Sequence, residues 1–169
     1  MPKKAAKQKN FSPDAVDRKI LRLLQQDAAL TIQELSRRIN LSPTPCWRRI
    51  RQLEAAGIIV GRVTLLDPAR IGVGVTVFVR VKTRHHTIEW FRRFAKAVEA
   101  IPEIIEFYRM SGDIDYLLKI VVPDIAGYDA VYKRLIGAID LEDVSSSFAL
   151  ERIKSTTALP LDYLDAPGW

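Results

Sequence analysis

Apolar residues recur at helical spacing through the first third of the chain and alternate with polar ones through much of the rest. Val16, Ile20, Leu23 and Leu24 share one helical face. Ser12-Pro13-Asp14 ahead of them predicts the helix start: a capping hydroxyl, a proline at the first helical position, and an acid near the positive dipole end. A second start is predicted at Thr31, where Thr31 and Glu34 have the spacing of a capping box, and Ile32, Leu35 and Ile39 make its buried stripe. Asn40-Leu41 breaks that helix, and Ser42-Pro43 opens a third that runs to Gly57, placed for the left-handed conformation after a helix. Three short helices, the last two separated by about three residues, predict a helix-turn-helix.

Beyond Gly57 the period changes. Ile58-Ile59-Val60 and Val63-Thr64-Leu65-Leu66 flank Gly61-Arg62, the pattern of a short β-hairpin with a basic tip. Such a wing offers Arg62 to a phosphate; a hairpin that only seals the core has the same pattern. Asp67-Pro68 begins a connection to Gly72 and Gly74, a hinge by its turn chemistry. Strands are then predicted at Val75–Lys82, Ile104–Met110, Tyr116–Val122 and Val144–Ile153, with helices capped by Thr87 and Asp124 between them. The order βαββαβ predicts an α+β protein: an N-terminal winged helix-turn-helix plus a C-terminal ferredoxin-like βαββαβ sandwich. The expected divisions are a basic tail 1–11, the winged unit 12–66, a hinge 67–74, the ferredoxin-like domain 75–155 and a tail 156–169. Apolar residues occur at both parities of the strands, so the helix-free sheet face also needs cover, which a homodimer packed sheet to sheet provides.

Charge gives the N-terminal unit a partner. Residues 1–66 hold 13 basic and 5 acidic residues, a net +8, and +4 remains without the four lysines of the tail. Residues 67–169 hold 13 basic and 15 acidic residues, a net −2. A basic unit joined to a near-neutral one points to a polyanion at one end only. The single cysteine, Cys46, excludes a disulfide framework and a cysteine-rich zinc finger. No apolar run reaches the roughly 18 residues that cross a bilayer, and the start Met1–Lys9 has no apolar stretch of a secretory signal. A cytoplasmic protein without a membrane partner is expected.

The third helix can be read face by face at 100° per residue. Cys46, Ile50 and Leu53 point inward, while Thr44, Arg48, Arg51 and Gln52 point the opposite way. With Ser42 at the helix start, that outward set combines phosphate-seeking guanidinium groups with side chains able to read base edges, as a helix in the major groove of double-stranded DNA requires. A merely solvated face is the plain alternative. Arg49 lies on the rim, where it could reach a phosphate or anchor an internal ion pair. A dimer would present two such helices to half-sites about 34 Å apart. Trp47 and Trp90 are expected to pack, with Trp47 a lesser candidate for covering the DNA backbone. Cys46 is expected as a small apolar filler, and His85-His86 as a surface loop with no ligand at metal spacing.

Asp17-Arg18-Lys19-Ile20-Leu21, Leu41-Ser42-Pro43-Thr44-Pro45-Cys46, Arg49, Leu53-Glu54, Ser111-Gly112-Asp113 and Asp115-Tyr116-Leu117-Leu118 resemble the leucine-responsive/asparagine-regulator (Lrp/AsnC, feast/famine) family of transcription factors over about residues 12–155. The resemblance implies a winged helix-turn-helix, a ferredoxin-like domain that dimerises and binds amino acids, and dimers that commonly assemble into octamers. It places the effector beside the turn linking the second and third strands. Thr44-Pro45-Cys46-Trp47, His85-His86, Glu89-Trp90, Arg109–Gly112, Ser145–Ala149 and Thr156–Pro160 are similar to the cysteine-detoxification regulator branch, which answers to L-cysteine. The lysine-rich start and the tail Asp162–Trp169 depart from it.

The Ser111–Asp115 turn also has suitable chemistry. A small zwitterion needs a carboxylate for its ammonium and backbone N–H groups for its carboxylate; Asp113 or Asp115 supplies the first, and Gly112 permits close approach to the second. An ordinary hairpin turn is the alternative. Met110, Ser111 and Tyr116, with Ser146 and Phe148 from the last strand, are expected to line the pocket. No cofactor, metal set, phosphate loop or nucleophile–base pair is expected, so the chain reads as a regulator rather than an enzyme. Its effector would be an amino acid of the cysteine or leucine type. The rivals are a nucleoid-like DNA-binding protein of low sequence preference and an amino-acid-binding interaction module that does not bind DNA.

Overall fold

Three helices open the described part of the chain: α1 (Ala15–Gln26), α2 (Ile32–Arg38) and α3 (Pro43–Ala55). The first two begin on capping boxes, and the third on a proline in its first turn behind Ser42, whose side chain makes no cap hydrogen bond. The carboxylate of Asp14, not the hydroxyl of Ser12, caps α1: it accepts from the Val16 and Asp17 amides while Asp17 reaches back to the Asp14 N–H. The helix therefore starts two residues later than expected, because the carboxylate satisfies two orphan donors in a reciprocal box. Thr31 and Glu34 form the expected box on α2. Asn40, at φ 56°, closes α2, with Leu41 donating to the Ser36 carbonyl and Asn40 to that of Arg37. Gly57, at φ 74°, closes α3 in the same way, with Ile58 donating to Leu53 and Gly57 to Glu54. Both ends are Schellman motifs, and the first turns the chain from α2 into α3.

The computed structural model describes residues 11–165 of the chain, so nearly all of the expected basic tail lies outside the described residues. Two compact units result, residues 11–64 with 154–165, and residues 65–153. The core of the first is Ile20, Leu21, Leu35, Ile39, Cys46, Ile50 and Leu53. Leu161 and Leu164 of the final segment pack on it, Gln25 holds the Leu159 backbone through both its amide groups, and Arg22 pairs with Asp162 at 3.2 Å. The segment expected as a separate tail thus belongs, through residue 165, to the helical unit.

The expected hairpin is not formed within the chain. Residues 59–66 carry no strand pairing, and Val60, Val63, Leu65 and Leu66 are exposed. Two-residue hairpin turns need a positive φ at one or both central residues, and neither Gly61 nor Arg62 adopts one. The segment runs on to a hydrogen-bonded turn at Asp67–Val73, where Gly72 takes φ 80°.

The second unit contains β1 (Val75–Lys82), α4 (Ile88–Glu99), β2 (Ile104–Arg109), β3 (Tyr116–Val122), α5 (Ile125–Ala138) and β4 (Asp143–Phe148). The sheet order is β2-β3-β1-β4, antiparallel throughout, which is the ferredoxin-like arrangement. Val77, Val79 and Val81 of β1 and Tyr116, Leu118, Ile120 and Val122 of β3 face α4 and α5, and are buried against Phe94, Val98, Val131 and Leu135. The opposite parity leaves Phe78, Leu117 and Val121 on the uncovered face. β4 stops at Phe148 rather than Ile153: Phe148 pairs with Val77, two residues from the end of β1, and the Ala149 amide makes one further bond to Thr76.

Candidate nucleic-acid interface and effector turn

The Schellman closure of α2 and the proline at the first position of α3 aim one side of α3 outward. Thr44, Arg48, Arg51 and Gln52 all stand exposed there, as does Ser42 at the N-cap, whose side chain makes no cap hydrogen bond. Arg48 has no hydrogen bond or ion pair among the described residues. Arg51 donates from Nη1 to Glu54 Oε2 at 2.8 Å, and Arg62 from Nη2 to Glu54 Oε1 at 3.3 Å. Trp47 departs from expectation. It is 54% exposed: its position on the helix lies about 60° from both outward Thr44 and inward Ile50, on the rim between the two faces.

Arg49 has a different task from its neighbours. Its Nη1 pairs with Asp14 at 2.7 Å and with Asp17 at 2.8 Å. The Asp17 side chain is 4% exposed and that of Arg49 29%. Asp14 is held below its usual range first by the Asp17 backbone N–H and then by Arg49, and the two carboxylates raise Arg49 in turn. Arg49 therefore ties α3 to the start of α1, the internal ion pair that its rim position allowed. Cys46 is fully buried and burial pushes its thiol up, away from the reactive thiolate.

In the second unit, Met110 donates to the Asp115 carbonyl at 2.8 Å and closes the turn between β2 and β3, with Gly112 at φ 105°. Asp115 is already engaged: its amide donates to Val81, one carboxylate oxygen accepts from the Thr83 amide at 2.8 Å, and the other lies 3.9 Å from His86 Nδ1. Asp113 is exposed with no partner among the described residues, which leaves it as the free carboxylate of the turn. Tyr116 is not available to a pocket, since its ring lies 5.2–6.1 Å from those of Trp90, Phe91, Phe94 and Phe107. Ser146 and Phe148 are not brought to the turn either. They face α5, where Ser146 shares a hydrogen bond with the Tyr128 hydroxyl and Phe148 packs edge-on against the Tyr128 ring. β1 stands between β4 and β3, so about 10 Å of sheet separates them from the turn.

One feature was not legible in the sequence. A cleft of about 260 Å³ opens at the start of α4, lined by His85, Thr87, Glu89, Trp90, Arg93, Ile139 and Asp140. It forms because Trp90 Nε1 donates to the Asp140 carbonyl and draws two distant segments together. Only the histidine pair hinted at it. No group of three His, Cys, Asp or Glu side chains suited to a metal occurs among the described residues, and no helix among them is long and apolar enough to cross a membrane.

Known proteins match both units. Residues 13–60 match the winged helix-turn-helix DNA-binding family, and residues 76–159 the Lrp/AsnC ligand binding domain. Over 150 residues the chain is 51% identical to the DNA-binding transcriptional activator DecR of Escherichia coli K12, covering 88% of this chain and 99% of that one. Over 148 residues it is 53% identical to the glutamate uptake regulatory protein of Zymomonas mobilis, covering 88% and 90%. The crystal structure of the transcriptional regulator NMB0573 from Neisseria meningitidis, a complex with L-Met, superposes with a TM-score of 0.85 at 39% identity, over 89% of this chain and 98% of that one.

Proposed function

The chain belongs to the Lrp/AsnC family, and from that premise we propose that it is an amino-acid-responsive, sequence-specific regulator of transcription. The observation that carries this reading is the outward face of α3, where Ser42, Thr44, Arg48, Arg51 and Gln52 are exposed together on a helix held by buried Cys46, Ile50 and Leu53. Arg48 and Arg51 grip phosphate or guanine, while Thr44, Ser42 and Gln52 read neighbouring edges. Arg62 stands beside them on the segment after α3. Arg49 acts indirectly, by holding α3 on α1.

The effector is an amino acid taken at the Ser111–Asp115 turn. Asp113 meets its ammonium and the backbone amides around Gly112 meet its carboxylate; Asp115 and Tyr116 hold the turn in shape. Met110, 39% exposed, is placed to meet the side chain. Resemblance to the cysteine-detoxification branch makes L-cysteine the first candidate, and the relatives add glutamate and methionine to the comparison. The functional form is a homodimer joined through the uncovered sheet face and assembled into higher oligomers in the cytoplasm. Effector and DNA are coupled by differential affinity for two assembly states, typically worth about 1–3 kcal/mol.

Fluorescence anisotropy tests the reading directly. The chain is titrated onto DNA from its own upstream region and onto a scrambled duplex, at one salt concentration, with each of the twenty amino acids in turn. The expected result is a preference for the upstream DNA that cysteine shifts, and that Asp113→Ala makes insensitive. A shift by another amino acid would keep the family and move the branch. Equal binding to both duplexes with no amino acid mattering would replace this reading with a nucleoid-like protein.

A further inference from the structure

Glu54 has the wrong charge for its position twice over. It lies in the last turn of α3, where the negative end of the helix dipole disfavours an anion, and it borders a face otherwise built for phosphate. Its carboxylate is nevertheless well held. Oε2 accepts from Arg51 at 2.8 Å and Oε1 from Arg62 at 3.3 Å, and Glu54 is the least exposed of the three side chains. One acid thus joins two arginines, one from the recognition helix and one from the segment behind it.

The atoms used matter. Arg51 spends only Nη1 on Glu54, so its Nε–Nη2 edge stays open. That edge is a planar two-donor fork, the element that grips the O6 and N7 acceptors of guanine in the major groove. An unheld arginine on an exposed helix samples many rotamers and meets the nearest phosphate, which every sequence offers alike. An arginine held by Nη1 has lost much of that freedom already, and the adjacent carboxylate repels phosphate.

We propose that Glu54 is a positioning residue for sequence recognition: it presents the free edge of Arg51 to a guanine of the operator and keeps Arg51 and Arg62 from indiscriminate phosphate contacts. The proposal rests on the reading that the outward face of α3 meets DNA. Specificity at that base then comes from Glu54 and Arg51 acting as a pair.

The test compares wild type, Glu54→Gln, Arg51→Ala and the double variant by anisotropy on the upstream duplex and a scrambled one, across a salt series. Glu54→Gln is expected to lower the ratio of upstream to scrambled affinity about ten-fold and to steepen the salt dependence on scrambled DNA by about one unit. In the Arg51→Ala background the same change should leave the ratio unaltered. Parallel loss on both duplexes would mark Glu54 as a fold-holding residue only and overturn the proposal, as would an unchanged ratio or an equal effect without Arg51. Thermal unfolding of each variant identifies a loss that comes from misfolding; Glu54→Ala, which removes both hydrogen bonds, must then change the ratio in the same direction if the proposal stands. A wild type that binds neither duplex would instead remove the reading of α3 itself.

Discussion

Adjacent arginines on α3 have different surroundings, Arg48 exposed and Arg49 paired with Asp14 and Asp17, and one pair of substitutions separates their roles. Arg49→Ala leaves Asp17 buried without its cation, a change expected to cost about 3 kcal/mol, the low end of buried-pair losses because Arg49 is itself partly exposed. Its DNA binding should fail through unfolding and recover at low temperature or with a stabilising osmolyte. Arg48→Ala should leave the unfolding midpoint within about 0.5 kcal/mol of wild type and still weaken DNA binding. Urea unfolding beside anisotropy checks both, and a stable Arg49→Ala protein with weak DNA binding would return Arg49 to the interface. The helical wheel placed Arg48 on the exposed side, as observed, and left Arg49 open. The choice depended on Asp14 and Asp17, which lie more than thirty positions away in sequence, and no local pattern reports that distance.

Capping is the level at which the sequence was most legible, because a cap is a contract between residues two or three apart. Thr31, Thr87 and Asp124 cap the helices expected of them, and only α1 moved, from Ser12 to Asp14. That shift has a consequence in acid. Asp14 and Glu34 are both held below their ordinary values of 3.8 and 4.5, each chiefly by a backbone N–H at a helix start. Groups depressed in the folded state stabilise it fully above those ordinary values and stop doing so as pH falls through the folded values. The helical unit should thus hold a constant thermal midpoint from neutral pH to about 5 and lose it steadily below about 4. Asp14→Asn, which can still cap the helix, should flatten that loss; an unaltered acid limb would show that Asp14 is not its source. The hairpin after α3 was the element misjudged: alternating apolar residues supplied a strand pattern, yet pairing needs a turn that Gly61 and Arg62 do not make. The final segment hid its role for the converse reason. Leu161 and Leu164 look like isolated apolar residues until α1 is beside them.

On the scale of the molecule, the uncovered sheet face is the largest expectation still to be met by a partner copy. Phe78 and Tyr108 lie exposed on it beside half-buried Leu117 and Val121, and Lys119 and Glu106 pair across it at 2.7 Å. Phe78→Glu should shift the assembly to a smaller species in light scattering and weaken binding to a two-fold DNA site more than to half of it; an unchanged mass would place the interface elsewhere. The sequence by itself determined the two-unit division of labour, the helix-turn-helix, the βαββαβ order and the outward residues of α3. Those follow from periodicity, capping and charge, which are properties of neighbours along the chain. Tertiary structure alone decided that Arg49 is a clasp, that Asp115 and Tyr116 hold the β2–β3 turn while Asp113 stays free, that Ser146 and Phe148 face α5, and that Glu54 joins Arg51 to Arg62. Each of those outcomes depends on which distant side chain fills the space opposite, and local sequence carries no record of it.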